Sequence, residues 1–326
     1  MVAVIEPVLR EQLIERRNKL EAAVNAFQEA SELTRLLHEV DAALMRIEAG
    51  SYGLCEVCHD PVEADRLIAD PLTRFCLDHL TPNEQRALEE DLQLASRIQQ
   101  GLLPDATRTI DGWEVSFHYS PAGLVSGDYC DLIPGDDGSL HFVLGDVSGK
   151  GVAASMLMAH LHAMFRTLIS INLPLEHLLE RASRVFCEST LPTHYATLAC
   201  GKAASNGQVE ICNAGHLPPL LINKAGARKI DATSLPLGIF SSEHFSVSQV
   251  QMEKGDTLFL YTDGLSEAVD GAGSEYGIDR LSNLLLENRQ MQPASLIDTC
   301  VKELNSFCDG RILNDDLTLM AIRRAR

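Results

Sequence analysis

Hydrophobic and polar residues follow two rhythms along the chain, and the change comes near residue 105. From Glu11 to Glu48 there is no Gly or Pro, and Ala, Leu, Glu and Arg dominate, which predicts helix. Leu33, Leu37, Val40, Leu44 and Ile47 step by four and three. That spacing serves a coiled-coil seam and equally an amphipathic helix packed on its own chain. Leu20, Val24 and Phe27 keep it one residue out of phase, so a break or a helical hairpin is expected near Ala30 and Ser31. Gly50 and Gly53 stop the helix. After Pro82 the stepping returns in Leu88, Leu92, Ala95, Gln99 and Leu102. Thr81 or Asn83 is the expected cap there, Gly101 and Pro104 the stop, and Gln99 a polar residue in the seam.

Beyond residue 105 the period drops to two. Trp113, Val115, Phe117 and Tyr119 alternate with polar residues, as in a half-buried strand. Residues 140–146 form an apolar strand closing on an acid, and residues 257–264 repeat that pattern into Asp263-Gly264. Helices are expected at 152–171, 175–189, 279–287 and 293–307, and further strands at 196–202, 208–212, 219–223 and 317–322. Strand-rich blocks with helices inserted in groups predict packed antiparallel sheets with helices outside, an α+β fold. The chain then divides into a helical region (1–48), a compact segment (49–82), a linker helix (83–104) and a large domain (105–326).

Composition narrows the classes. A chain of 326 residues with a formal net charge of −19 exceeds one small core. It is also ill suited to sequence-independent binding of nucleic acid phosphates or anionic membranes. The N-terminus lacks the basic n-region of a secretory leader. The longest apolar run, 152–165, holds His160 and His162 and is shorter than a bilayer span. Of nine cysteines, Cys130, Cys187, Cys200, Cys212, Cys300 and Cys308 are scattered and read as buried reduced thiols of a cytoplasmic protein.

The other three are spaced for chemistry. Cys55-x2-Cys58 and Cys76-x2-His79 stand 17 residues apart. Each two-residue gap lets both ligands of a knuckle reach one tetrahedral ion. Three thiolates and an imidazole suit structural zinc, with no position left open for catalysis. In so short a segment the metal supplies folding energy, on the order of 10 kcal/mol. His59, adjacent to Cys58, is geometrically poor as a fourth ligand. With Arg46-Ile47-Glu48-Ala49-Gly50-Ser51-Tyr52-Gly53-Leu54 before it and Arg66-Leu67-Ile68-Ala69-Asp70-Pro71 inside it, the segment resembles the DksA/TraR zinc finger over residues 33–80. His79 stands where that family often has a cysteine. The family's long coiled coil with an acidic tip is absent or heavily shortened, so the resemblance implies a module. A non-catalytic DksA-like regulator that binds RNA polymerase is the alternative reading of the chain.

In the large domain, Asp146, Asp263 and Asp315/Asp316 lie at strand edges far apart in sequence, and Gly127-Asp128-Tyr129-Cys130-Asp131 is expected as a fourth acidic turn. Carboxylates brought together must be neutralised by protons or cations. An all-oxygen donor set suits Mg²⁺ or Mn²⁺. Gly145, Gly149, Gly151 and Gly264 beside the acids allow close backbone approach. Two such ions can lower the pKa of a shared water and hold a phosphoryl oxygen, the chemistry of phosphate hydrolysis.

Six segments occur in order: Ile98-Gln99-Gln100-Gly101-Leu102-Leu103-Pro104, Gly127–Asp131 as above, Gly145-Asp146-Val147-Ser148-Gly149-Lys150-Gly151, Asn213-Ala214-Gly215-His216-Leu217-Pro218-Pro219, Tyr261-Thr262-Asp263-Gly264 and Asp315-Asp316-Leu317-Thr318. Together they resemble the SpoIIE/RsbU branch of the PPM (type-two-C) metal-dependent serine/threonine protein phosphatases, from about residue 92 onward. The resemblance implies a β-sandwich flanked by helices in α-β-β-α layers, with a dinuclear Mn²⁺/Mg²⁺ centre at one end. Asp146 would bridge the metals, joined by the Val147 carbonyl. Asp263 and Asp315 would be ligands, and Asp128 a ligand or a partner of one. Asp316, where relatives often carry Asn, ranks below Asp315. Water would attack the phosphoserine or phosphothreonine phosphorus without a covalent intermediate, in keeping with the lack of G-x-S-x-G or C-x5-R motifs. Lys150 and His216 are candidates for phosphate contact or proton transfer, or else turn residues that order their loops. Ser126 and Cys130 depart from the family pattern without removing a carboxylate. The implied substrate is a phosphoprotein, first of all a STAS-type anti-sigma-factor antagonist. The zinc module would then govern activity, partner choice or homodimerisation through the helical regions.

Overall fold

The computed structural model describes residues 2–26, 31–241, 244–311 and 313–325. The chain separates into two compact units, residues 1–91 and 92–326.

In the first unit, helices α1 (Val2–Ala26) and α2 (Ser31–Glu48) pack face to face through Leu9, Leu13, Val40 and Ala43. Arg17 Nε reaches Asp41 Oδ1 at 2.6 Å across the pair. Of the two expected arrangements this is the hairpin, although Phe27 and Ala30 themselves lie outside the described residues. Helix α1 begins well before Glu11 and contains Pro7. As the sixth helical residue it lies just past the four N–H groups that lack intrahelical partners, so α1 forgoes one i→i−4 bond near its start. Helix α3 (Ala64–Ala69) and a 3-10 turn, Leu77–His79, follow. Tyr52, Cys55, Val62, Leu67 and Cys76 join the hairpin core.

Helix α4 (Pro82–Gln100) opens on a capping box. The Glu84 N–H donates to Thr81 Oγ1 at 3.3 Å, while the Thr81 N–H and O–H donate to Glu84 Oε2 at 2.9 and 2.7 Å. Thr81 rather than Asn83 is therefore the cap, with Pro82 in the first-turn position that tolerates it.

The second unit runs β1 (Thr107–Ile110), β2 (Trp113–Ser120), β3 (Asp128–Pro134), β4 (Leu140–Val147), α5 (Gly151–Ile169), α6 (Leu175–Ser189), β5 (Ala196–Ala203), β6 (Gln208–Ala214), β7 (Leu220–Asn223), β8 (Gly226–Lys229), β9 (Ser248–Gln251), β10 (Thr257–Tyr261), α7 (Asp263–Ser266), α8 (Ile278–Glu287), α9 (Pro293–Phe307) and β11 (Leu317–Arg324). Among the described residues the strands form two antiparallel sheets, in the orders β1-β2-β11-β10-β7-β8 and β3-β4-β5-β6-β9. Alternation along each strand sets the layers. Leu258 and Leu260 of β10, Met320 and Ile322 of β11, and Leu140, Phe142 and Leu144 of β4 meet between the sheets. The intervening Phe259, Leu319 and Ala321 pack under α8 and α9, and Val143 and Val147 under α5 and α6. The outcome is the expected α-β-β-α sandwich.

Two expectations change. Residues 128–131 are the start of a strand rather than an acidic turn. Tyr129 faces the helices and Cys130 the inter-sheet core, and the wholly buried Asp131 is neutralised by Arg166, with N–O distances of 2.9 and 2.7 Å. The second concerns the apolar run 152–165, read as shorter than a bilayer span: it lies within α5, which ends within two residues of the expected helix 152–171 on either side. By length and composition it passes as a membrane span, but Met158, Leu161 and Phe165 sit in the core beneath the second sheet. Five of the six scattered cysteines are buried and Cys187 is half-buried, all as free thiols.

Candidate active site and metal knuckle

In the knuckle, the sulfurs of Cys55, Cys58 and Cys76 and a ring nitrogen of His79 lie within 4.8 Å of one another. Cys58 Sγ is 3.7 Å from Cys76 Sγ, which is 3.3 Å from His79 Nδ1. Tetrahedral zinc with sulfur bonds of about 2.3 Å has ligand–ligand edges of about 3.8 Å, so the four donors fit that ion. Burial raises the Cys55 pKa, but backbone hydrogen bonds from Cys58, Cys76 and Val57 more than reverse this and favour thiolate. His59 is exposed, adopts a left-handed φ of 60° and stands outside the cluster. Arg46 and Arg74 both grip Glu56 and brace the loop between the first two ligands.

In the sandwich, antiparallel pairing brings the acids to one edge. The start of β3 pairs with the end of β4, with Asp128 opposite Asp146. The end of β10 pairs with the start of β11, with Tyr261 opposite Leu319, so Asp263 and Asp315/Asp316 emerge side by side. Thr262 Oγ1, just past β10, and Thr318 Oγ1 of β11 donate to Asp128 Oδ2 of the second sheet at 3.0 and 2.5 Å, closing the sandwich at this end. Gly264 is needed here, because a Cβ would lie 2.1 Å from the Asp316 carbonyl oxygen. Asp263 does not end a strand as expected. It opens α7, with Thr262 at the cap position.

The electrostatics of this edge are those of a site built for cations. Asp146 is pushed up to about 7, first by burial and then by the charges of Asp263, Asp315 and Asp316. Asp128, 1% exposed, is raised well above the usual carboxylate range, mainly by burial and against its hydrogen bond from Thr318. Asp263 is raised by burial and by Asp315. Carboxylates gathered with too little countercharge, offering only oxygen, fit hard divalent cations. The Asp146 Oδ1 and the Val147 carbonyl oxygen face the same point, each 3.2 Å from where a Gly127 Cβ would sit.

The remaining candidates separate. Asp315 Oδ2 holds Lys150 Nζ at 2.8 Å, and that lysine is 73% exposed on a turn between Gly149 and Gly151, both at positive φ. Asp316 instead accepts the N–H groups of Ala122 and Gly127 at 2.8 and 3.1 Å, so its two oxygens order the 121–127 loop. His216 is buried, with Nδ1 3.1 Å from Thr197 Oγ1 and Nε2 3.2 Å from the Tyr261 carbonyl oxygen. Burial lowers its pKa to about 4, so the ring is neutral and donates to that carbonyl through Nε2. A cavity of about 340 Å³ lined by Asp146, Ser148, Tyr195, His216, Asp263 and Glu267 opens onto the acids. Glu267 escaped sequence reasoning. Its four-residue step from Asp263 was the available signal, and burial and Asp263 raise its carboxyl. Thr262 and Thr318 carried no signal beyond lying within the acidic motifs.

The family model of the Stage II sporulation protein E (SpoIIE) matches residues 136–325. That of the prokaryotic dksA/traR C4-type zinc finger matches residues 50–78, ending one residue before His79. Among curated proteins, the chain is 27% identical to Protein IcfG of Synechocystis sp. over 72% of this chain and 41% of IcfG. It is 24% identical to the phosphoserine phosphatase RsbU of Bacillus subtilis over 74% of this chain and 72% of RsbU. For the phosphoserine phosphatase RsbP of the same organism the identity is 26%, over 60% of this chain and 49% of RsbP. The match thus spans less than half the length of IcfG and RsbP. Among solved structures, the RsbU and RsbW domains of a Mycobacterium tuberculosis protein align at 28% identity with a TM-score of 0.60, over 68% of this chain and 62% of that one. The SiaA-PP2C domain of Pseudomonas aeruginosa shares the fold, with a TM-score of 0.66 at 18% identity over 75% of this chain and 99% of that domain.

Proposed function

The chain belongs to the SpoIIE family, and from that premise we propose that it is a metal-dependent protein serine/threonine phosphatase whose N-terminal zinc module regulates it. The observation that carries this reading is the convergence of Asp146, Asp263 and Asp315 at one open edge, with the Asp146 carboxyl raised to about 7 by burial and then by its acidic neighbours. Bound Mn²⁺ or Mg²⁺ supplies neutralisation of the phosphoryl oxygens and a water acidic enough to attack phosphorus at neutral pH. Asp146, Asp263, Asp315 and the Val147 carbonyl would hold these cations. Asp128, both fastened and protected by Thr262 and Thr318, orients the edge.

Lys150 is the exposed cation at the rim, and its long side chain can exchange Asp315 for a substrate phosphate. Buried and neutral, His216 is better suited to hold Thr197 and the Tyr261 carbonyl in place than to move a proton. The substrate class is a phosphoserine or phosphothreonine on a regulatory protein. RsbU and RsbP, named as phosphoserine phosphatases, support that class, and the family resemblance makes a STAS-type antagonist the first to test.

The test is Mn²⁺-dependent phosphate release from phospho-STAS proteins by the full chain. Asp146→Asn and Asp263→Asn should each lose more than the roughly 100-fold that follows loss of a ligand's hydrogen-bond partner. No release from any phosphoprotein or from p-nitrophenyl phosphate with metal present overturns the reading. If the finger selects substrates, Cys55→Ser alters protein substrate choice and spares the small ester. Capture of RNA polymerase by a chain without phosphatase activity would favour the DksA-like alternative.

A further inference from the structure

Helix α4 buries a single residue, and that residue is polar: Gln99, 6% exposed. Its amide engages Ser126 twice. Nε2 donates to the Ser126 carbonyl oxygen at 2.7 Å, and Oε1 accepts the Ser126 N–H at 3.0 Å. A neighbouring antiparallel strand would make the same pair of bonds, but here a side chain supplies them. From Ser126 the contacts lead directly to the acids. Ser126 Oγ accepts the Asp128 N–H at 3.0 Å. The next N–H, that of Gly127, donates to Asp316 Oδ2 at 3.1 Å. Gly127 itself passes so close to Asp146 Oδ1 and the Val147 carbonyl oxygen that a Cβ would be 3.2 Å from each.

We propose that Gln99 is a positioning residue for the divalent-cation centre. Its amide fixes the peptide groups on both sides of Ser126, and through them Asp128, Asp316 and the backbone wall beside Asp146. The inference rests on the metal-dependent phosphatase reading and deepens it, because it names the contact through which the last turn of α4 acts on the acids. A buried amide is a directional device. Rotating α4 or turning this one side chain leaves the Ser126 N–H and carbonyl without partners, and the loop must then move to rehydrate them.

The experiment uses the full zinc-loaded chain with Gln99→Leu and Gln99→Glu, each first checked for a wild-type circular dichroism spectrum. Hydrogen exchange in protein free of Mn²⁺ and Mg²⁺ reads the clamp itself. In Gln99→Leu the amides of Ala122, Ser126 and Gly127 should exchange on the order of tenfold faster. Calorimetric titration with Mn²⁺ reads the consequence, an affinity lower by about tenfold, the lower end of the range for a ligand's hydrogen-bond partner. Gln99→Glu supplies a signature that mere packing would not. Its carboxyl mimics the amide when protonated and repels the Ser126 carbonyl when ionised, and burial moves its pKa upward. The ratio of variant to wild-type Mn²⁺ affinity should therefore rise toward one as pH falls from 8 to 6. Unchanged exchange in Gln99→Leu, or a ratio flat with pH, overturns the proposal. A wild-type chain that takes up no Mn²⁺ overturns the phosphatase reading, while the exchange result still judges the clamp.

Discussion

The two candidate metal sites of this chain are built in opposite ways. In the knuckle, four ligands come from residues 55–79 and share a core of few apolar side chains, Tyr52, Val62 and Leu67 chief among them. In the sandwich, the acids come from segments as far apart as Asp128 and Asp315, delivered by strands whose three apolar clusters exist without them. The donors of the knuckle are near in sequence and rest on a small core shared with the helical hairpin, so a bound ion would supply much of the local folding energy. The acids are distant in sequence and mutually repulsive, so the fold must force them together. In one candidate site a metal would hold the structure, and in the other the structure would hold the metal.

The largest effect that can break this contrast is removal of zinc. Chelation, or Cys55→Ser, should withdraw on the order of 10 kcal/mol from the knuckle. Hydrogen exchange should then show peptides within residues 50–79 losing protection. The only tryptophan, Trp113, is buried between the sheets of the other unit, and its fluorescence should keep its native value. A shift in Trp113 emission on zinc loss alone would mean that the sandwich too depends on the knuckle ion.

The converse effect is smaller and has a pH signature. Without divalent cations Asp146 titrates near 7 in the folded chain, against an ordinary 3.8. Between those values the folded state holds a proton that the unfolded state has lost. Stability therefore falls as pH rises from about 4 to 7, and the loss is complete above 7. For this group alone it amounts to at most about 4 kcal/mol, against a total of roughly 5–15 kcal/mol for a domain. Cation-free Asp146→Asn should thus be more stable than the wild type at pH 8 and equal to it near pH 3, as followed by urea unfolding of the Trp113 signal. Parallel pH profiles for the two proteins would show that the acids are not crowded in solution.

The contrast also governs what could be read from the residues. The knuckle was legible because its spacing is its geometry: C-x2-C and C-x2-H place the ligands whatever the rest does. Most elements of the sandwich were legible too, since the alternating run around Trp113 and the continuous apolar runs around Phe142 and Phe259 are buried on one or both faces. The short edge strands β1 and β8 carry almost no apolar signal. Long-range pairing was the harder part. Asp131 reads as a turn acid until Arg166, on a helix 35 residues later, neutralises it. His216 sits in a motif that suggests chemistry, yet its burial against the Tyr261 carbonyl is a property of two strands meeting. Gln99 read as a polar seam residue because its partner, Ser126, belongs to a loop without periodicity.

In sequence α4 links the two candidate sites, and its start offers the mildest test of how independent they are. Thr81 and Glu84 satisfy one another's backbone and side-chain groups across the first turn, and Pro82 gives up only an N–H that had no helical partner. Thr81→Ala removes both the acceptor for the Glu84 N–H and the hydroxyl donor to the Glu84 carboxylate, which should cost about 1 kcal/mol of helix stability. Thr81 stands two residues after the last zinc ligand and eighteen before Gln99, so it touches neither set of donors. Fraying should appear as faster exchange confined to the first turn of α4, with zinc content and Mn²⁺ affinity both at wild-type values. If Mn²⁺ affinity falls with the cap, α4 transmits its own order into the acid edge, and the division between a metal-held unit and a fold-held site no longer stands.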